Sequence, residues 1–65
     1  MDGNMINTSL YEHPDSKTIS CYVWTNDKDI RWYVVKVSEI LGLYPELDMY
    51  QATEKIALER FKNEN

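Results

Sequence analysis

The sequence predicts an α+β fold: a small antiparallel β-hairpin or three-stranded sheet with one C-terminal α-helix packed on one face. Two adjacent runs, residues 18–24 and 29–37, are rich in the β-branched and aromatic residues that suit a pleated, half-buried surface. A polar turn separates the two runs. From residue 49 onward, apolar residues recur at the spacing of one helix face. These observations predict a hairpin that folds against a helix.

The segment before the hairpin is predicted to add a short edge strand. Apolar and polar residues alternate weakly over residues 5–11, as they do in a strand with one buried face. Pro14 then ends this strand, because it has no backbone N–H and it biases His13 toward extended geometry. The first residues, 1–7, are expected to be flexible because they are polar and contain a glycine.

The register of the hairpin decides which side chains face the helix, because successive residues of a strand point to opposite faces. If Asn26 and Asp27 form a two-residue turn, Val23 lies opposite Ile30. A four-residue loop over residues 26–29 keeps the same facing. This register turns one apolar set toward the core: Ile19, Cys21, Val23, Ile30, Trp32 and Val34. The opposite face then carries Thr18, Ser20, Tyr22, Trp24, Asp29, Arg31, Tyr33 and Val35.

The segment after the hairpin is too short for periodicity to decide its structure. One interpretation is a helical turn that begins at Ser38 as N-cap and stops at Gly42. The other is a third short strand over residues 39–44 that returns antiparallel. In either case, the apolar side chains that follow are expected to close one end of the core: Leu43, Tyr44 and Leu47.

A C-terminal helix is predicted over residues 49–62. Asp48 is a favourable N-cap, and Gln51 three residues later completes a capping-box pattern. One stripe of this helix is predicted to face the sheet: Met49, Ala52, Thr53, Ile56 and Ala57, with Tyr50 and Phe61 beside it. The two alanines are expected to let the helix approach the sheet closely beneath Trp32. Leu58 falls on the opposite face, and residues 63–65 are expected to fray.

Composition limits the chain to one small domain, residues 1–65, with a thin core. A chain of 65 residues buries only about 60% of the surface that its unfolded form exposes. The single cysteine excludes an intramolecular disulfide, and no Cys and His cluster offers a zinc site. A protein partner or self-association is therefore the remaining external source of stability. The net charge of −4 argues against binding to nucleic acid or to an anionic membrane.

The sequence indicates no catalytic, cofactor or metal site. His13 and Cys21 are separated by a turn, and no Asn or Asp is placed to orient the imidazole as a Cys–His nucleophile requires. Asp27 and Asp29 lack the glycine and the distal glutamate of a calcium loop. No run of about 20 apolar residues and no secretion signal is present, and the lone thiol suits a reducing compartment. These features predict a cytoplasmic protein that is not an enzyme.

The leading functional hypothesis is a small non-catalytic module that docks a protein partner, or a second copy of itself, through an aromatic sheet face or a sheet edge. Four residues of types that are common in interface hot spots are predicted to share that face: Tyr22, Trp24, Arg31 and Tyr33. Alternatively, residues 5–11 or 39–47 fold over them and form a second small core. Aromatic residues on a sheet can also stack nucleic-acid bases, but few basic residues lie nearby.

Three other functions stay open at this point. The chain suits an inhibitor encoded by a phage or mobile element, which would block a host protein by occupying its surface. It also suits a structural domain whose main property is assembly into a homodimer. A small thiol-dependent enzyme or ligand carrier that uses Cys21 or His13 is the third. Reactivity of the thiol distinguishes this last class from the others.

Overall fold

The fold is a three-stranded antiparallel sheet followed by two helices, in a computed structural model that describes residues 5–26 and 28–64. The strands are β1 (Asn7–His13), β2 (Thr18–Thr25) and β3 (Lys28–Lys36), in the sheet order β1-β2-β3. The helices are α1 (Val37–Leu43) and α2 (Met49–Asn63). Both contribute to a core on one side of the sheet, here called the helix face. The predicted α+β class is confirmed, with the three-stranded form of the sheet.

The predicted edge strand is present as β1, which pairs antiparallel with β2 from Asn7 opposite Trp24 to His13 opposite Thr18. A four-residue loop joins the two strands, and Ser16 N–H donates to the carbonyl of His13 over 3.2 Å. Of the residues expected to be flexible, 1–4 lie outside the described residues. Because β1 is an edge strand in the plane of the sheet, it does not fold over either face of the hairpin.

Lys17 closes the β1–β2 loop with a φ of 55°, in the left-handed region. A Cβ atom is strained in that region, whereas glycine enters it without a steric cost. We therefore expect Lys17→Gly to stabilise the chain by about 0.5–1 kcal/mol. The backbone bond from Val37 N–H to the Lys17 carbonyl, 3.0 Å long, involves no side chain and is retained.

Urea denaturation of the two proteins measures this difference in the free energy of unfolding. Lys55→Gly is the matched control, because Lys55 is an exposed lysine in the middle of α2, where φ is not positive. Glycine in a helix interior should destabilise the chain by about 1 kcal/mol. If both variants were destabilised equally, the left-handed conformation at Lys17 would be contradicted.

The pairing of β2 with β3 contains a bulge that the sequence did not predict. Thr25 pairs with Lys28, as a two-residue turn requires. Between Val23 and Thr25 the register shifts, so that Val23 pairs with Arg31. Between these two pairs, β3 has one more residue than β2. From Val23 to Thr18, every residue of β2 is therefore paired one residue further along β3 than the predicted register places it. Asp27, the second residue of the predicted turn, lies outside the described residues.

The bulge reverses the faces of β3. Cys21 lies opposite Tyr33, and Ile19 lies opposite Val35. The predicted inward positions of Ile30, Trp32 and Val34 are therefore wrong, and all three are half exposed or more. The predicted outward positions of Arg31, Tyr33 and Val35 are also wrong. The faces predicted for β2 are correct, because Ile19, Cys21 and Val23 are buried.

Residues 37–43 form helix α1, so the helical interpretation of this segment is correct and the third-strand interpretation is wrong. The helix begins one residue before the predicted cap, with Lys36 as its N-cap, and it continues through Gly42. Ile40 projects from it into the core with 1% of its surface exposed. The segment packs on the helix face, so it does not cover the opposite face of the sheet.

Helix α2 confirms the predicted C-terminal helix and extends it by one residue, to Asn63. The Asp48 carboxylate accepts a hydrogen bond from Gln51 N–H over 2.8 Å, as the predicted N-cap requires. The buried side chains of α2 are Ala52, Thr53, Ile56, Ala57 and Phe61. Glu64 caps the helix, and its N–H donates to the Arg60 carbonyl over 3.1 Å. Asn65 lies outside the described residues.

The core consists of two adjoining clusters along the helix face. The first contains Ile19, Val35, Ile40, Ala52 and Ile56, with Leu10, Tyr44, Leu47 and Met49 at its border. The second contains Cys21, Val23, Tyr33, Ala57 and Phe61, with Leu10 and Leu58 at its border. The alanines do lie in the helix–sheet contact, but Ala57 lies in the cluster of Tyr33 and not beneath Trp32. Leu58, predicted to lack an internal partner, is half-buried.

Candidate functional site

The side of the sheet opposite the helices, here called the outer face, carries a group of exposed apolar side chains that includes Tyr11, Ile30, Trp32 and Val34. In an antiparallel sheet, paired residues point to the same side. The residues that point outward in the regular part of the sheet are Asn7, Ser9, Tyr11, His13, Thr18, Ser20, Tyr22, Trp24, Trp32, Val34 and Lys36. Ile30, in the bulge, is exposed beside them and lines the same groove as Tyr22 and Trp24. No described element packs on this side, so its aromatic and aliphatic side chains contact solvent.

Three rings form a row across the outer face, one from each strand. Tyr11 and Tyr22 pack edge to face, with ring centroids 5.5 Å apart and an interplanar angle of 82°. Tyr22 and Trp32 lie directly opposite each other, with centroids 6.3 Å apart and planes tilted by 30°. Such ring pairs stabilise neighbouring strands beyond their burial alone. Tyr11, Tyr22 and Trp32 are referred to below as the aromatic row.

A groove of about 450 Å³ lies beside the aromatic row, open to solvent. It is lined by Ser9, Tyr11, His13, Tyr22, Trp24 and Ile30. Its position follows from the bulge in β3, which leaves Ile30 beside Trp24 of β2 on the groove wall. The outer face therefore combines raised rings with a shallow apolar depression, which is a shape that another side chain can fill.

Polar side chains also lie on the outer face, and some of them are hydrogen-bonded within the fold. His13 Nε2 and Ser20 Oγ form a hydrogen bond of 2.9 Å. Ser16 Oγ and Thr18 Oγ1 form another of 2.9 Å at the same end of the sheet. Outside the bulge, no outward position of the strands carries an acidic residue. The surface is therefore nearly uncharged, on a chain whose net charge is −4.

The structure separates the four residues that the sequence assigned to one binding face. Tyr22 and Trp24 lie on the outer face, as predicted. Arg31 and Tyr33 lie on the helix face, because the bulge reverses their strand. Their side chains meet the end of α2: Tyr33 donates to a Glu64 carboxylate oxygen over 2.9 Å, and Arg31 Nε lies 3.9 Å from the same oxygen.

Arg31 and Tyr33, which the sequence assigned to the outer face, both contact Glu64 at the end of α2. Burial raises the pKa of the Tyr33 hydroxyl, and its hydrogen bond to the Glu64 carboxylate raises that pKa further. The Arg31–Glu64 pair is solvated on both sides, and pairs of this kind contribute little to stability. Contacts within the fold therefore account for Arg31 and Tyr33, whereas Tyr22 and Trp24 face solvent.

Sequence reasoning missed Trp32, Ile30 and Val34 as outer-face residues. Residues 32–35 of β3 are all apolar or aromatic, so the hydrophobic pattern of this half of the strand fits either face. The two-residue turn predicts which face each residue of β3 takes. It gives the pairing of Thr25 with Lys28 correctly, but it does not reveal the extra residue of β3 next to that pair. Tyr11 lies on the predicted edge strand, and the face to which it points depends on the register between this strand and β2.

The acidic residues that make contacts in the described structure lie on the helix side of the molecule, where several carboxylates join elements together. Thr8 donates to Glu54, Tyr44 donates to Glu59, and Arg60 pairs with Glu39. The Nζ atom of Lys55 lies over the ring of Tyr44, 5.6 Å from the ring centroid. The two broad sides of the domain therefore differ: one is charged and mainly acidic, and the other is aromatic and nearly uncharged.

Cys21 and His13 lie on opposite sides of the sheet. Cys21 is fully buried on the helix face, whereas His13 lines the groove of the outer face. Within residues 5–26 and 28–64, no three His, Cys, Asp or Glu side chains converge closely enough to hold a metal ion. The thiol and the imidazole are therefore not placed to act on one another.

We expect the Cys21 thiol to react only when the chain unfolds. Burial, followed by the nearby Glu54 carboxylate, raises the pKa of this thiol from 9.0 to about 11. At about pH 8, iodoacetamide should leave the native chain unmodified and should alkylate it in denaturing urea. Rapid alkylation of the native chain would contradict the burial.

The same pKa shift predicts a loss of stability at alkaline pH. Because the folded state holds the thiol proton more tightly than the unfolded state, this stabilisation is complete below pH 9 and is lost as the pH rises to about 11. Urea midpoints measured across this range should fall more steeply for the natural chain than for Cys21→Ala. Equal slopes for the two proteins would argue against the shift.

Comparisons with protein-family models, with curated protein sequences and with solved structures each give no match. In the described segments, neither helix combines the length and the apolar composition that a membrane crossing requires. The outer face, defined by its rings, its groove and its lack of acidic side chains, is therefore the surface from which a function can be inferred.

Proposed function

We propose that this chain is a non-catalytic protein-binding module whose docking surface is the outer face of the sheet. The observation that carries the proposal is the aromatic row, which stands uncovered across all three strands. Trp32 is 62% exposed and Tyr11 is 55% exposed. Leaving such rings in water forgoes the gain of burying them, and contiguous patches of this kind mark interaction sites. Trp and Tyr are also the residue types enriched in interface hot spots.

The charge of the outer face favours a protein partner over a nucleic acid. Single-strand binders combine stacked rings with a basic groove that follows the phosphates. On this face, Lys36 and His13 are the basic residues at outward strand positions, and Arg31 points to the other side. An uncharged aromatic centre with a polar border is typical of protein interfaces.

The burial of Cys21 supports a non-catalytic role. A thiol that acts as nucleophile needs access and a lowered pKa, whereas this thiol is buried and its pKa is raised. His13 forms a hydrogen bond with Ser20, a residue that is 6% exposed. A role as inhibitor of another protein is one form of the same proposal, because it uses the same surface.

Site-specific photocrosslinking tests this proposal. The photoreactive residue p-benzoylphenylalanine is placed at position 32 on the outer face or, as matched control, at Tyr50, a half-exposed aromatic position on α2. We expect irradiation of cells that produce the chain to give adducts of discrete mass from position 32 and none from position 50. Equal adducts from both positions, or none from position 32, would contradict the proposal.

A further inference from the structure

We infer that the occupant of the outer face is a second copy of this chain, docked sheet against sheet. The inference rests on the docking function proposed above and names the partner for that surface. The resulting dimer would have four layers, with the two sheets inside and the helices outside. Stacked sheets pack about 10 Å apart, a spacing that the interdigitated rings of two outer faces can fill.

Charge argues for self-docking through this face and against self-docking through the helix side. Each copy carries a net charge of −4, so most contacts between two copies bring acidic groups together. Outside the bulge, the outward positions of the strands hold no acidic residue, whereas Glu39, Glu54 and Glu59 lie on the helix side. Two copies can therefore meet at the outer face with their acidic surfaces pointing away from each other.

The size of the patch also fits a small homodimer. At about 150–250 Å² per aromatic side chain, the exposed fractions of Tyr11 and Trp32 alone leave roughly 180–290 Å² uncovered. Ile30, Val34 and the remaining groove residues bring the patch to roughly 350–500 Å², within the range of the largest patch on a typical monomer. Two such patches bury about 700–1,000 Å² in total, which reaches the lower limit for a specific interface. An interface of this size is typical of weak, transient complexes.

A two-fold dimer needs a patch that is complementary to itself. The outer face offers both parts of such a contact, because the aromatic row projects and the neighbouring groove is concave. Rings of one copy can enter the groove of the other, and the reverse contact forms at the same time. Burial of the outer face would also give a small chain the additional apolar contact that its thin core lacks.

Sedimentation equilibrium of the purified chain from about 1 μM to about 1 mM tests the inference. We expect the mass to rise with concentration from 7.7 kDa to twice that value. Added salt should not weaken the association, because outside the bulge no acidic residue lies at an outward strand position to pair with Lys36, and screening reduces the repulsion between the net charges. Salt-induced dissociation would point to an ionic contact elsewhere and would overturn the inference.

Three variants assign the contact to the outer face. Trp32→Lys and Val34→Lys place a charge on that face, and each should weaken the dimer at least about 30-fold. Leu43→Lys is the control, since Leu43 is 57% exposed on α1, which packs on the side of the sheet opposite the outer face. This variant should dimerise as the natural chain does. Far-UV circular dichroism checks that each variant is folded; a Trp32→Lys chain that fails to fold leaves Val34→Lys to give the result.

The outcomes separate this inference from the proposed function. A natural chain that stays monomeric to about 1 mM, or a dimer that persists in Trp32→Lys and Val34→Lys, overturns self-docking. If the photoadducts from position 32 then contain a different protein, the docking function stands and its partner is that protein. If position 32 gives no adduct at all, both the docking function and the self-association are wrong.

Discussion

Replacement of Phe61 by alanine is expected to destabilise the chain by about 3–5 kcal/mol, which is most of the stability available to a domain of this size. Phe61 lies in the second core cluster with Tyr33 and Ala57 and is 5% exposed. Its removal leaves a cavity at the end of α2, where the helix meets β2 and β3. The loss should also loosen the Tyr33–Glu64 hydrogen bond, since Phe61 precedes Glu64 by one helical turn.

Urea denaturation, followed by far-UV circular dichroism, measures the effect of Phe61→Ala. Tyr50→Ala is the matched control, because it removes a half-exposed ring from the same helix and should cost about 1 kcal/mol or less. If Phe61→Ala were as stable as Tyr50→Ala, the second cluster could not be a packed part of the core.

Ile40→Ala is expected to destabilise the chain by about 2–5 kcal/mol, because it empties a position in the first core cluster. The effect is informative because the sequence alone leaves both a helical turn and a third strand open for this segment. Ile40 is 1% exposed, whereas the next residue, Leu41, is 56% exposed. Leu41→Ala is therefore a control on the same helix and should change the stability by less than about 0.5 kcal/mol.

Comparison of the stabilities of Ile40→Ala and Leu41→Ala shows whether α1 packs on the core as a helix. A large loss for Ile40→Ala with no loss for Leu41→Ala is the expected pattern. Equal losses would mean that the segment presents both side chains alike, as a surface loop would. A strand over residues 39–44 would instead bury alternate residues, so that Leu41 rather than Ile40 could become the sensitive position.

The sequence predicted the elements that local physics determines. The Asp48 cap and the helical spacing of Ala52, Ile56 and Ala57 are properties of neighbouring residues, and α2 follows from them. The inward face of β2 follows in the same way, since Ile19, Cys21 and Val23 alternate with more polar residues. For this reason Tyr22 and Trp24 were placed correctly on the outer face.

The facing of β3 could not be predicted, because residues 32–35 are all apolar or aromatic and fit either face. Before them, Ile30 lies between the charged Asp29 and Arg31, a pattern that favours the opposite facing to the one observed. The bulge between Val23 and Thr25 decides between the two facings, and a bulge has no strong signal in this sequence. As a result, Arg31 was assigned to the binding face although its side chain lies near Glu64.

The proposed docking surface depends on the register between β2 and β3. Nuclear Overhauser contacts to the indole of Trp32 test that register most directly. The structure predicts contacts from Trp32 to the ring of Tyr22, and from Tyr22 to the ring of Tyr11. It predicts none from Trp32 to the methyl group of Ala57, which lies in the core with Tyr33. A strong contact between Trp32 and Ala57 would place the indole inside the domain and would contradict the account.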